Sequence, residues 1–506
     1  STQSKNTYAD AIATLNKSFN DWSVNVNLGV SLSDSRYEMI GYEGGLKLIN
    51  FFAVHNIDFN KAWKAKQSGW HDQTRAIFAN AEIGWKSMIY LTATGRNDWD
   101  SRLAFSDYKS FFYPSIGLSA ILTSMFNAPD WLTYLKVRGS YTEVGNSYGR
   151  FMTTVTYPYD EQTQSWTSTS SYPNTKLKPE RTKSWEVGLD ARILNDISLN
   201  LTYYRSNTYN QTFYADLSLS SGYSNIPIQS GNIMNEGLEM SLGYNKQWKD
   251  FSFNTNYTLT WNKNRVKRLA DGVYNYATGQ PIQMPELSPL TYGHTDARLI
   301  LRVGGSMGDV YGQRLLKRDL NGYILNEEGV GLAMENKETY LGSILPKMNM
   351  GWSLGFGYKG VNLGMTFTGR FGGIVISETQ SVLDAAGVSK VSADVRDAGG
   401  VQINQSKVSA QTYYQTIQGT AAYYTYSATN VRLGELSLSY TLPKKWFDNK
   451  VGMTVGLVGK NLWMIYCKAP FDPELTTSAA SNFYQGFDAY MLPSTRNFGF
   501  NVKFQF

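Results

Sequence analysis

Apolar and polar residues alternate one for one along most of this chain. In the closing stretch RNFGFNVKFQF, Phe498, Phe500, Val502, Phe504 and Phe506 share one parity, and Asn497, Gly499, Asn501, Lys503 and Gln505 share the other. A period of two gives each set its own face of a β-strand. A soluble sheet also alternates, so one strand decides little. Here the pattern recurs throughout, at the segment length a tilted strand needs to cross a bilayer. It predicts an all-β fold, a transmembrane antiparallel β-barrel.

Hairpins follow by pairing alternating runs across short turns. Val24, Val26, Leu28, Val30 and Leu32 oppose Ser23, Asn25, Asn27 and Ser31, after a weaker strand from about Tyr8 to Phe19. A long connection is expected from Tyr37 to Trp70, and a polar one over Gly95 to Phe105. Between them Ile77 to Trp85 pairs with Ile89 to Ala93, and Phe112 to Ala120 then returns into Leu135 to Tyr141. Beyond a Tyr-, Ser- and Thr-rich connection, Gly145 to Lys183, come Trp185 to Ile193, Ile197 to Tyr203, Leu238 to Tyr244 and Phe251 to Trp261. Val266 to Pro346 alternates poorly. Met350 to Tyr358 and Val361 to Phe367 follow, then a long connection over Phe371 to Thr429. Leu436 to Leu442, Met453 to Leu457, a connection over Asn461 to Thr495, and the terminal strand complete the order. Charges keep to the polar parity in nearly every strand. That is expected if the other face meets lipid, where a Lys or Arg at mid-bilayer costs about 2–4 kcal/mol.

This makes about fifteen strands, with short and long connections in strict alternation, as in outer-membrane barrels with short periplasmic turns and long external loops. The first strand then starts outside and Phe506 ends in the periplasm. A closed bacterial barrel has an even strand number and both ends on the periplasmic side. The expectation is therefore one unit over residues 1–506 that forms the C-terminal part of something larger.

Composition sharpens this picture in a few places. Charged residues are 17% of the chain and mean hydropathy is −0.35, as expected when half of each strand is polar. Tyr (35) and Trp (13) are abundant, which suits interfacial girdles or a glycan- or peptide-binding surface. A net charge of +6 without a basic run interleaved with aromatics argues against nucleic acid. The single cysteine, Cys467, excludes an intrachain disulfide, and no cofactor motif occurs. No apolar run reaches about eighteen residues, so no transmembrane helix is expected. Ser1 has polar neighbours rather than a signal peptide, so it is not expected to start the primary product.

Several stretches, in order, resemble the C-terminal half of SusC/RagA-type TonB-dependent outer-membrane transporters: GRNDWDSRL (Gly95 to Leu103), FFYPSIGLSAIL (Phe111 to Leu122), LKVRGSYTEVGN (Leu135 to Asn146), LKPERTKSWEVGLD (Leu177 to Asp190), NEGLEMSLG (Asn235 to Gly243), NVRLGELSLSYTLPKKW (Asn430 to Trp446), GKNLWMI (Gly459 to Ile465) and FDPE (Phe471 to Glu474). The resemblance implies a barrel of about 22 strands around an N-terminal plug, of which this chain would supply the last fifteen or so. It further implies import of oligosaccharides or oligopeptides across the outer membrane of a Gram-negative bacterium, energised through TonB. The implied partners are the plug-bearing N-terminal portion, TonB acting through that portion, outer-membrane lipids, and a SusD-like surface lipoprotein that caps the barrel as a lid. A dimer of transporter–lipoprotein pairs is also implied.

Candidate contacts with substrate or lid are the aromatics of the long connections: Tyr148, Trp166, Tyr413, Tyr414, Tyr423, Tyr424, Phe483 and Tyr484. Flat rings stack on sugars and give rigid contact area to peptides or proteins. Packing between loops is the plainer role. Asp319, Asn321 and Glu327–Glu328 offer oxygen ligands for calcium, though Asn321–Gly322 is more simply a tight turn. His55 and His71 lack any accompanying hydrolase motif, so no enzyme is expected. Two other readings of the barrel stay open: a surface receptor or adhesin anchored by it, and a passive porin.

Overall fold

The computed structural model describes residues 1–506 apart from 62, 161–164, 230, 270–285, 328–330, 476 and 479–481, with backbone alone at 219, 289, 327 and 331. Fifteen strands form one antiparallel sheet in sequential order. They are β1 (Thr2–Phe19), β2 (Trp22–Gly44), β3 (Trp63–Trp85), β4 (Ile89–Asp100), β5 (Phe111–Ile121), β6 (Leu132–Asn146), β7 (Glu180–Ile193) and β8 (Ile197–Tyr209). The order continues with β9 (Asn232–Trp248), β10 (Phe251–Arg268), β11 (Met348–Tyr358), β12 (Val361–Phe371), β13 (Asn430–Leu442), β14 (Gly452–Cys467) and β15 (Asn497–Gln505). Seven turns of at most ten residues alternate with seven connections of ten or more, and the latter all lie at one end. β1 and β15 are the two edges of the sheet, each hydrogen-bonded to a neighbour on one side.

Register carries the parity of each strand to the next. Leu199, Leu201 and Tyr203 of β8 lie opposite Leu242, Met240 and Leu238 of β9 and Ala191, Leu189 and Val187 of β7. One face of the sheet is therefore continuously apolar and the other carries hydroxyls, amides and charges. The apolar face is bounded by rings. Trp22, Trp85, Trp248, Phe251 and Tyr358 stand by the short turns, and Trp99, Tyr141, Trp185 and Trp261 stand towards the long connections. Phe251 and Trp261 are ten residues apart on β10, about 34 Å along a strand. At a tilt near 45° that is about 24 Å of height, close to the roughly 25 Å apolar band of an outer-membrane barrel. No described helix is long and apolar enough to cross a membrane.

Boundaries differ from the sequence reading at four places, each for a local reason. β2 and β3 run 23 residues each, so Tyr37 to Trp70 is mostly strand. Tyr37 pairs with Trp70, and their rings stack at 5.8 Å, which favours continued pairing despite the polar composition. β1 likewise begins at Thr2, paired as far as Met39. β4 continues to Asp100, because the charges of GRNDWD satisfy one another on the polar face: Arg96 Nε donates to Asp98 (2.7 Å), and Tyr113 donates to the same carboxylate (2.6 Å). β14 extends through Cys467 because Asn461 takes a positive φ of 53° and the β13–β14 register shifts there. Such a bulge flips the parity, so an unbroken strand looks like a strand end.

Candidate ligand-facing loop assembly

The long connections fold rather than wander. Four strands, Glu286–Thr291, Arg298–Arg302, Asp309–Leu316 and Met334–Ser343, form their own antiparallel sheet. Ile374–Ser377 pairs antiparallel with Thr425–Ser427 and parallel with Phe487–Asp488. Three short helices, α1 (Glu378–Ala385), α2 (Lys390–Asp397) and α3 (Ala410–Ile417), complete the unit. Each begins at a serine, Ser377, Ser389 and Ser409, whose hydroxyl accepts a first-turn N–H.

Three connections, 269–347, 372–429 and 468–496, share one core. Tyr292, Leu299, Val310, Ile344, Ile376, Ala421 and Phe487 are all buried together. Polar ties cross the same seams. Tyr292 donates to the Phe483 carbonyl (2.7 Å), Ser377 to Asp488 (2.6 Å), and the Ala421 N–H to Asp296 (2.6 Å). A second core gathers Leu316, Ile403, Val408, Tyr414, Ile417 and Tyr424. The chain 210–231 joins through Phe213, Ile226 and Ile228, which pack on Leu287 and Leu301. It also meets 147–179, where the Asn174 amide donates to the Pro227 carbonyl (3.0 Å).

Two latches fasten the assembly to the sheet. Arg150 lies 3.6 Å over the Trp70 ring and pairs with Asp72 (2.6 Å), pinning 147–179 to β3. On β13, Arg432 makes two hydrogen bonds to Asp472 (3.0 and 2.8 Å) with both side chains nearly excluded from water. Burial alone would raise the Asp472 carboxyl, but the Arg432 guanidinium holds it below the ordinary carboxylate range. The motifs NVRLGEL and FDPE thus meet in one ion pair.

The sequence candidates divide by placement. Tyr413, Tyr414, Tyr423 and Tyr424 come together in one core. Tyr414 and Tyr424 are buried, Tyr413 meets Tyr414 edge to face at 5.2 Å, and the Tyr423 hydroxyl accepts from the Leu316 N–H. Phe483 and Tyr484 pack half-buried against the core around Tyr292. Tyr148 is buried among Leu103, Phe111 and Leu177. Only Trp166 among the eight stands well exposed, at 71%, edge-on to Tyr159. Burial raises the phenol of Tyr424 and pushes that of Tyr426 up to about 12. These rings serve mainly as the mortar of the assembly. Asp319 accepts from the N–H groups of Asn321 and Tyr323 in a tight turn closed at Gly322 (φ +85°); Glu328 lies outside the described residues. No group of three or more His, Cys, Asp or Glu that could hold a metal occurs among the described residues.

Sequence reasoning missed a cavity of about 590 Å³ between the end of β10 and the assembly, where Lys263, Arg265, Asp309, Tyr340 and Lys347 stand among apolar and glycine lining. Burial raises the Asp309 carboxyl, and Asp309 accepts from the Ser306 N–H and the Tyr340 hydroxyl. Its lining comes from segments that no single window of sequence contains, the end of β10, Gly304 to Asp309, Tyr340 to Lys347 and Gly372 to Ile374. The geometry suits recognition by shape, hydroxyls and charge.

A family model described as TonB dependent receptor-like, beta-barrel, matches residues 1–462. TonB-dependent receptor P3 of Formosa agariphila is 24% identical over 99% of this chain and 52% of its own length. TonB-dependent receptor SusC of Bacteroides thetaiotaomicron is 25% identical over 47% of this chain and 22% of its own. In structure, the RagAB peptide importer superposes with TM-score 0.75 in its closed-closed state and 0.74 in its open-open state, at 18% and 19% identity, over 99% of this chain and 55% and 54% of that one. The chain spans about half the length of the full-coverage curated relatives it matches.

Proposed function

Since this chain belongs to the TonB-dependent receptor-like β-barrel family and resembles its SusC/RagA-type members, we propose that it is the C-terminal barrel portion of an active importer. It sits in the outer membrane of a Gram-negative bacterium, crosses it many times, and takes up oligosaccharides or oligopeptides. Substrate is captured at the end bearing the long connections, beneath a SusD-like lipoprotein lid, and TonB drives passage through a plug on the preceding portion. The working unit is a pair of such transporter–lipoprotein complexes.

One observation carries this reading beyond family membership. The connections form a continuous, internally cored assembly over one end of the sheet, as a capture surface requires. A porin needs an open mouth, and an anchored adhesin needs only loose projecting loops. The test is uptake of labelled oligosaccharide and oligopeptide libraries by cells with and without TonB, paired with native mass spectrometry of the purified protein. TonB-dependent uptake with a copurifying lipoprotein supports the proposal. Uptake indifferent to TonB favours a porin, and surface binding without uptake favours a receptor.

A further inference from the structure

At its upper end β10 loses its neighbour. Pairing with β11 stops at Trp261 opposite Met348. The strand is then tied to the loop assembly at two points: the Asn262 N–H donates to the Lys347 carbonyl (3.1 Å), and the Val266 N–H to the Gly305 carbonyl (2.8 Å). Backbone groups of alternate residues face the same side of a strand. The N–H and C=O of Asn264 therefore face this gap too, and neither has a partner among the described residues. The Asn264 side chain is committed elsewhere, donating to Asn235 (2.9 Å) and accepting from the Met307 N–H (2.7 Å). The gap is the cavity of about 590 Å³ described above, within the size range of small-molecule sites.

Opposite charges line it without meeting. Asp309, 6% exposed, accepts from the Ser306 N–H (2.8 Å) and the Tyr340 hydroxyl (3.2 Å), and no cation among the described residues lies within ion-pair distance of it. Arg265 and Lys347 have no carboxylate partner among the described residues, and Lys263 reaches only Glu236, at 3.8 Å. The fold also leaves the Asp309 carboxylate uncovered: a Cβ at Gly305 would stand 2.7 Å from its Oδ2. A buried carboxylate without a cation is costly, and a positively charged group on a ligand relieves that cost.

We propose that this cavity is a subsite for a short free peptide, whose main chain pairs with Asn264, whose amine meets Asp309 and whose carboxylate meets Arg265 and Lys347. An unpaired strand edge, an uncompensated carboxylate and unpaired cations in one cavity match the main chain and the two ends of a peptide. A neutral sugar would satisfy neither charge. The scale agrees, since Asn262 to Val266 spans about 13 Å along the strand and an extended tripeptide about 10 Å. The inference rests on the import reading above and narrows its substrates to oligopeptides.

The test uses the protein purified from its native membrane and measures, by calorimetry, binding of alanyl-leucyl-alanine, its N-acetyl form, its C-terminal amide, and maltotriose. Acetylation and amidation are each expected to weaken binding at least about tenfold, the scale of a hydrogen bond to a charged group. D309N should bind the free and acetylated peptides alike while keeping the penalty for amidation, and R265Q/K347Q should do the reverse. K445Q/K450Q, at the opposite end of the sheet, should change neither. General damage to the loop assembly would instead weaken all peptide forms together. Free and capped peptides that bind wild type within about twofold of one another overturn the proposal, as does an acetylation penalty that survives D309N, or displacement of the peptide by maltotriose. Heat-dependent gel mobility reports whether each variant folds. If D309N fails, G305A, which sets a methyl group against the same carboxylate, must show the same loss of discrimination. TonB-dependent uptake of oligosaccharides with no peptide binding refutes only this inference, whereas uptake indifferent to TonB refutes the import reading and leaves the peptide-binding result standing.

Discussion

Replacing Asp472 by Asn should release the last long connection from the barrel wall. The wild-type carboxylate accepts two hydrogen bonds from Arg432, with side-chain exposures of 11% and 8% for the two partners. Breaking one side of a fully buried pair costs roughly 3–5 kcal/mol. Two features reduce that here: Asn keeps one acceptor oxygen, and Arg432 still has Asn430 Oδ1 at 3.2 Å and Glu474 at 3.4 Å. The expected cost is about 2–3 kcal/mol, or roughly a 30- to 150-fold rise in the open population. Amide hydrogen exchange over residues 468–475 reads that population directly. The pH dependence adds an independent arm. A carboxyl held below its unfolded value supports the closed state fully above about pH 5, and that support fades as pH falls through the unfolded value near 3.9 and on towards the folded one. Wild type should therefore lose protection between about pH 5 and 3, after correction for intrinsic exchange, while D472N stays flat. If D472N exchanges within about threefold of wild type, the latch does not hold the connection.

Facing is testable on two neighbours of β9. Met240→Lys should cost about 2–4 kcal/mol in folding into lipid vesicles, whereas Ser241→Lys on the polar face should cost little, and similar values for both would refute the assigned parity. Ser377→Ala removes the α1 cap and the donor to Asp488 together. It should cost about 2 kcal/mol and speed proteolysis within 374–429 and 468–496 alike; cleavage confined to one connection would contradict the shared core. The phenols of Tyr340 and Tyr426 are pushed up to about 12 by burial, with Asp309 adding to it for Tyr340. Because the folded state holds these protons more tightly, the assembly should be fully stable below about pH 10 and lose stability as pH rises towards 12. Phenolate absorbance should show a late-titrating fraction that Y426F diminishes.

The barrel wall was legible because its information is local. A strand with one lipid-facing side writes its orientation into every second residue, and the alternating turn lengths supply the topology. Reading failed where locality failed. At Asn461 a bulge reversed the parity of a continuing strand. At Tyr37 to Trp70 cross-strand stacking sustained pairing in a stretch that reads as polar loop. The connections were the least legible, since Tyr292, Ile376 and Phe487 meet from three segments separated by more than a hundred residues of sequence in places. Their aromatics drew attention as binding candidates, yet Tyr148, Tyr414 and Tyr424 are buried by neighbours that no window of sequence contains.

That buried arrangement constrains how the end bearing the long connections can move. The connections joining β10 to β11, β12 to β13, and β14 to β15 share one core, and the last two also share a parallel strand pair, Ile376 to Ser377 against Phe487 to Asp488. Lifting any one of them alone exposes apolar side chains from the shared core, and lifting either of the last two also parts Ser377 from Asp488, so independent loop motion is the costly route. Movement of the assembly as one body keeps that core intact and strains instead its ties to the wall, among them the Arg432–Asp472 pair at β13, the Arg150–Asp72 pair at β3 and the bonds of Val266 and Asn264 at the end of β10. A ligand bearing on any of the three connections is therefore felt at three hairpins of the wall at once. Under the proposed function, capture is transmitted to the wall without a separate relay, through a core that sequence places in three pieces and folding makes one.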